Sequence, residues 1–169
     1  MPSSLPIEQV QSEWRQLAQQ IRTAVLLTLR QGRPFGSHAP HIFGDDWTRA
    51  YLHLSDLALH SRHLRDDPRV GLFLSEPDQP GRNPLALKRM NLQGDASPLS
   101  DLQPSYERIK QSYLERFPQS AMMFGLGDFH LSELRMHEAY LILGFGQAYL
   151  ADDRAPAQWV HQVPERKPG

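Results

Sequence analysis

The sequence predicts an α+β domain, mostly antiparallel β-structure in a small barrel-like order. Three observations carry this. Short β-branched or leucine-rich runs close on turn residues, two of these runs follow each other as hairpins, and helical spacing is confined to a few segments. With 169 residues, 40% hydrophobic and 22% charged, the chain is long enough to bury one core as a single domain.

Each element follows in order. Ile7, Val10, Trp14, Leu17 and Ile21 recur at helical spacing, so residues 6–22 read as an amphipathic helix lying on a sheet. Residues 23–30 form a β-branched, leucine-rich run that stops at Gln31-Gly32. A second extended run, 34–43, ends at Gly44-Asp45-Asp46, and 51–55 alternates as a third strand. Residues 56–67 suit a short polar helix ended by Pro68, and 69–75 a further strand. Residues 76–84 hold three prolines and a glycine and read as an exposed loop. A strand over 86–95, a helix over 102–117 and strands over 128–136 and 139–150 complete six or seven strands. Gly144-Phe145-Gly146 inside the last run suggests a bulge or a close backbone approach. The domain is expected to span 1–150. Residues 151–169, charged and proline-rich with little to bury beyond Trp159 and Val160, are expected to be a disordered tail.

Composition excludes several functions. A net charge of -1 offers no field for nucleic acid or an anionic membrane. The absence of cysteine removes disulfides, thiolate metal sites and cysteine nucleophiles. No signal peptide and no apolar run of membrane-spanning length is present, which leads to an expectation of cytoplasmic residence. Nucleotide-binding glycine loops and zincin histidine pairs are also missing.

The eight histidines stand at 38, 41, 53, 60, 63, 130, 137 and 161. His38, His41, His53, His130 and His137 fall in or near strands and read as surface or hydrogen-bonded residues. His60 and His63, with Ser61 and Arg62 between them and Ser55 ahead, place hydroxyl and cationic donors where a phosphate or carboxylate can bind; a solvated helix capped by Ser55 is the plain alternative. Lys88-Arg89 interrupts the pattern of Leu85, Leu87, Met90 and Leu92. Strand alternation would send these two cations to opposite faces. Asp128, directly before a strand, can orient an imidazole or simply form a turn.

Three blocks, "YLHLSDLALHSRHLRDDPRVGLFLSEPD", "PLALKRMNLQGDASPL" and "GDFHLSELRMHEAYLILGFGQAYL", resemble the pyridoxamine 5'-phosphate oxidase-related FMN-binding split barrels. Within that superfamily they are most similar to the heme-iron-utilisation branch, over residues 12–150. The resemblance implies a homodimer of six-stranded split barrels with ligand sites at the dimer interface. It further implies heme held by His161, assisted by Asp128, with Arg89 near the propionates; turnover would need an electron donor. Flavin-binding relatives carry a Ser-Arg-Lys cluster where counting back from Asp67-Pro68 finds Ala58, Leu59 and His60. The remaining candidates, for FMN or for the heme propionates, are Ser55, His60, Ser61, Arg62, His63 and Lys88. Three readings stay open: a heme protein of heme degradation and iron release, an FMN-dependent oxidoreductase, and a non-catalytic ligand-binding dimer.

Overall fold

The computed structural model describes residues 4–154 and 158–163. Helix α1 (Ile7–Gln20) leads into strands β1 (Thr23–Arg30), β2 (Arg33–Pro40), β3 (Ile42–Phe43) and β4 (Arg49–Ser55). Helix α2 (Leu59–Asp66) and β5 (Arg69–Ser75) follow, then β6 (Arg89–Pro98), α3 (Tyr106–Arg116), β7 (Phe129–Gly144), β8 (Gln147–Asp152) and β9 (Val160–Gln162). All nine strands belong to one antiparallel sheet of order β2-β1-β5-β6-β7-β4-β3, with β8 and β9 continuing from the far half of β7. Strands β2 and β4 approach each other, so the sheet curls into a half-barrel. The six or seven expected strands become nine among the described residues, because the run expected over 34–43 splits at His41 into β2 and β3 and the tail adds β9.

Alternation explains the core. Leu26, Leu72, Met90, Leu92, Leu134 and Leu141 point inward and are fully buried, joined by Val10, Trp14, Leu17 and Ala18 of α1. A second cluster, Ile42, Tyr51, Ile109, Tyr113, Phe117 and Leu131, holds α3 against β3, β4 and the start of β7. No helix among the described residues is long and apolar enough to cross a membrane.

Several sequence expectations are corrected. The strand expected over 86–95 begins at Arg89 and runs to Pro98, after a short 3-10 turn at Pro84–Ala86. Lys88 therefore precedes the strand, and the alternation argument does not apply to it. The two strands expected over 128–136 and 139–150 are one 16-residue strand followed by a hairpin at Phe145-Gly146. Gly144 closes β7 at φ 148° beside a register shift between Ile142 and Gly144, and Gly146 takes φ 71° in the turn, so the irregularity read at Gly144-Phe145-Gly146 is present. A second register shift lies at His137, where pairing jumps from Gly94–Met136 to Gln93–Glu138. His137 is thereby aimed between two carboxylates, with Nε2 2.8 Å from Asp95 and Nδ1 3.1 Å from Asp153. These partners raise its pKa.

The tail is not wholly disordered. Residues 151 and 152 end β8, β9 pairs with β8, and Trp159 is buried against Trp47 with ring centroids 5.8 Å apart. The burial of one indole overrides the polar composition around it.

Arg116 joins the two helical layers. Its Nη2 donates to the carbonyls of Ala18, Gln19 and Ile21 at 3.0, 3.1 and 3.2 Å, taking up orphan acceptors at the C-terminus of α1. Arg116→Met is expected to cost about 2 kcal/mol, since charge-assisted bonds to carbonyls would be lost and not replaced. Urea unfolding measures this; a loss below about 0.5 kcal/mol would mean that water satisfies those carbonyls equally well.

Candidate functional site

The predicted site residues fall into two groups at different ends of β7. The first surrounds α2. Ser55 ends β4 and does not cap the helix, whose N-cap is Ala58 without a side-chain bond. Its hydroxyl donates to Asp128 Oδ2 at 2.8 Å and accepts from the Leu57 amide at 3.2 Å. The Asp128 carbonyl also accepts from the Asp56 amide at 2.7 Å. Asp128 therefore ties the start of β7 to the turn after β4, a pairing across 73 residues that no local pattern announces.

Helix α2 packs on β1 with His60 and His63 turned toward the first hairpin. His63 is buried, with Nδ1 3.0 Å from the Thr28 hydroxyl, and Phe35 meets its ring edge-on. His60 Nδ1 lies 3.1 Å from the Ser37 hydroxyl, and burial, followed by neighbouring His63, lowers its pKa. Arg62 is exposed. Ser61 faces the other way, into a cleft of about 380 Å³ shared with Leu54, Leu64, Arg65, Ser97, His130 and Ser132. Its hydroxyl is buried there without a partner. Asp56 forms the rim, bridging Arg65 at 3.2 Å and His130 at 3.1 Å. The sequence reading singled out neither this bridge nor the hydroxyl partners Thr28 and Ser37, because the contacts join distant segments.

These positions fit a flavin phosphate poorly. Ala58, Leu59 and His60 supply no fixed cation at the first turn of α2, and His60 is held neutral by its surroundings.

The second group sits at the far end of β7. Lys88 is committed to Glu13 of α1 through a 2.5 Å ion pair, and its amide donates to Glu76. Arg89 donates to the carbonyls of Leu85 and Leu87 at 3.2 and 3.0 Å and has no carboxylate partner among the described residues. His161 lies in β9, half-buried, with Nε2 2.9 Å from the Gly146 carbonyl and its ring 5.1 Å from that of buried Tyr149. Tyr149, missed in the sequence, donates through its hydroxyl to Gln147 and accepts from the Leu5 amide.

Register fixes how these residues face. His161 pairs with Tyr149, which pairs with Leu141, itself opposite Met90, all on the core side. Arg89 pairs with Ile142, then Ala148, then Gln162, on the outer side. Arg89 and His161 of one chain thus share an end of the sheet but point to opposite faces. Asp128 stands at the opposite end of β7, so it does not meet His161 of its own chain.

His161 and the exposed His38 of β2 stand apart from the other six histidines. His41 and His53 are buried, His60 and His63 bond to hydroxyls, and His130 and His137 bond to carboxylates. The surface or hydrogen-bonded role expected of His41 is overturned: it is fully buried and neither ring nitrogen has a well-formed hydrogen bond. His53 is also buried, stacked on Phe124 at 3.8 Å. His161 keeps an accessible imidazole whose hydrogen-bond partner among the described residues is a turn carbonyl.

A family model described as pyridoxamine 5'-phosphate oxidase matches residues 10–143. The chain is 27% identical over 161 residues to heme oxygenase HutZ of Vibrio cholerae, covering 90% of this chain and 86% of that one. A crystal structure of HutZ, described there as a heme storage protein, superposes with a TM-score of 0.65 at 26% identity, over 75% and 89% of the two chains. A heme-binding protein from Mycobacterium smegmatis gives 0.75 at 24% identity, over 93% of this chain and 61% of that one. ChuZ of Campylobacter jejuni gives 0.78 at 20% identity, over 97% and 68%. The last two likenesses show the fold.

Proposed function

The chain belongs to the pyridoxamine 5'-phosphate oxidase family, and from that premise we propose that it is a heme-binding protein of heme utilisation, acting as a homodimer with His161 as iron ligand. The observation that carries this reading is the accessible His161 imidazole, braced by the Tyr149 ring and free of any carboxylate among the described residues. A neutral imidazole is a common axial ligand, and the group behind it sets its orientation. The names of the relatives support heme over other ligands.

His161 holds the heme, and Tyr149 fixes the plane of its ring. Ligation through Nε2 requires that the bond to Gly146 be given up. Asp128 can accept a ring proton from an axial histidine only if that histidine comes from a second copy, since its own lies at the other end of β7. Heme itself is the substrate if the protein turns over, oxidised with dioxygen and electrons from an external donor. FMN, the alternative, is disfavoured because Ala58, Leu59 and His60 carry no fixed cation.

Adding hemin to the purified protein is expected to give a Soret band that His161→Ala abolishes or strongly weakens. A wild-type protein that leaves the hemin spectrum unchanged would falsify heme binding, and an unchanged spectrum in the variant would reject His161. Supplying ascorbate and air to the complex separates the two descriptions of HutZ: a ring-opened tetrapyrrole means degradation, and intact heme means storage or carriage.

A further inference from the structure

We propose that the cleft between α1, β3 and α3 binds a small monocarboxylate with an apolar body, the carboxylate held by Arg116 and the body laid against Trp14, Ile42 and Phe43. The site shares no residue with the groups around α2 and His161, and the proposal depends neither on heme nor on a dimer.

The cleft arises because three elements end at one corner. Helix α1 stops at Gln20, the two-residue β3 closes at Phe43 ahead of Gly44, and α3 stops at Arg116. Between them lies an opening of about 440 Å³, a size usual for small-molecule sites. Part of its wall is apolar. Trp14 and Ile42 are buried there, and Phe43 meets the Trp14 ring edge-on with centroids 6.1 Å apart. Arg15, Asp45, Ser112 and Glu115 are exposed around this wall.

Arg116 gives the reason for an anion. Its Nη2 serves the end of α1, but Nε is buried without an acceptor. Nη1 keeps accessible surface and has no acceptor among the described residues either. No carboxylate pairs with this guanidinium among the described residues. Arg22 stands close by, donating to the Arg116 carbonyl at 2.8 Å, and burial followed by the charge of Arg22 lowers the Arg116 pKa. A half-buried cation without a counter-ion is costly, and a carboxylate complements it better than a neutral acceptor does. The same charge bears on His41, which packs edge-on against Phe43 with neither ring nitrogen partnered.

Charge also narrows the ligand. In the lining, Arg15 and Arg116 stand against Asp45 and Glu115, and Arg22 beside Arg116 tips the corner to a small positive excess. That suits one negative charge, whereas a phosphate dianion would be set against Asp45 and Glu115. The negative end of α1 does not oppose the ligand, since the carbonyls of Ala18, Gln19 and Ile21 are already turned to Nη2. Arg15 lies over the Trp14 ring, 5.7 Å from its centroid, so a second cation flanks the apolar wall.

Calorimetric titration of the full chain tests this, with 3-methylbutanoate as the probe beside its neutral counterpart 3-methylbutan-1-ol and inorganic phosphate. The carboxylate is expected to bind saturably at roughly millimolar concentration, and the alcohol and phosphate at least about tenfold more weakly, the factor for one charge-assisted bond. Ser112→Phe puts a ring into the cleft from an exposed helical position, so it should abolish binding and leave stability unchanged. Arg116→Met should weaken binding by about tenfold or more, with circular dichroism checking that this less stable variant is folded during the titration. Ser112→Phe decides the matter if it is not. Absence of saturable carboxylate binding up to about 50 mM overturns the proposal. Equal affinity for the alcohol overturns it too, since the cleft would then be selecting apolar bulk alone, and tighter binding of phosphate would make it a dianion site. Carboxylate binding that survives Ser112→Phe places the ligand elsewhere on the molecule and is equally fatal.

Discussion

Gly94→Ala is expected to destabilise the protein by about 3 kcal/mol or more, enough to remove much of the stability of an ordinary domain. A Cβ at this position would lie 2.0 Å from the Arg135 carbonyl oxygen and 2.7 Å from the Met136 Cα. Those are backbone atoms of the neighbouring strand, held by the β6–β7 ladder on both sides of the bulge. Relief therefore requires breaking the ladder, whereas a clash with a flexible side chain would relax. Gly125→Ala and Gly127→Ala are the controls: nothing lies within 4 Å of either Cβ, and neither takes positive φ. Urea titrations of the three variants should separate Gly94 from the others. A Gly94 variant within about 1 kcal/mol of wild type would mean that the bulge is plastic.

Acid is expected to destabilise the fold between about pH 6.5 and 4, well before most carboxylates protonate. His41 is pushed down to about 4, first by burial and then by the charge of Arg116, against a weak opposing pull from the Ala39 carbonyl. His53 is likewise lowered to about 4, by burial and then by His130 and Lys110. Each binds a proton more readily in the unfolded chain than in the folded one. Stability from these groups is complete above 6.5 and lost as pH falls toward 4. For His41, the more deeply enclosed of the two, a depression of that size corresponds to roughly 3 kcal/mol. His41→Phe, which keeps an aromatic ring against Phe43, should flatten the loss by about one proton. An unaltered slope in that variant would place the acid sensitivity elsewhere.

Much of the fold was legible because alternation and turn residues agree. The strand at 69–75 is observed as read, and α1 and α3 lie inside their expected ranges. The misreading of β7 has a definite cause. Its inward residues are even-numbered through Leu134 and Met136 and odd-numbered from Ala139 and Leu141, because His137 is inserted without a partner. A change of parity looks like the end of one strand and the start of another, and only the partner strand reveals that the chain continues. The site was less legible for a related reason. Polarity suggested accessible histidines at 41 and 53, but the α3 layer and its aromatic rings enclose His53, and Arg116 stands over His41. Likewise, Ser55 looked like a cap, and its bond to Asp128 depends on strand order alone.

The bulged His137 has the opposite titration. Clasped by Asp95 and Asp153, it binds its proton more tightly folded than unfolded, so its contribution is whole below 6.5 and fades as alkali removes that proton. Set beside the two enclosed rings, it gives the molecule a ceiling as well as a floor. Resistance to unfolding should crest within a bounded band of acidity around neutrality, and trimming either aspartate should widen that band on its alkaline side while lowering the crest.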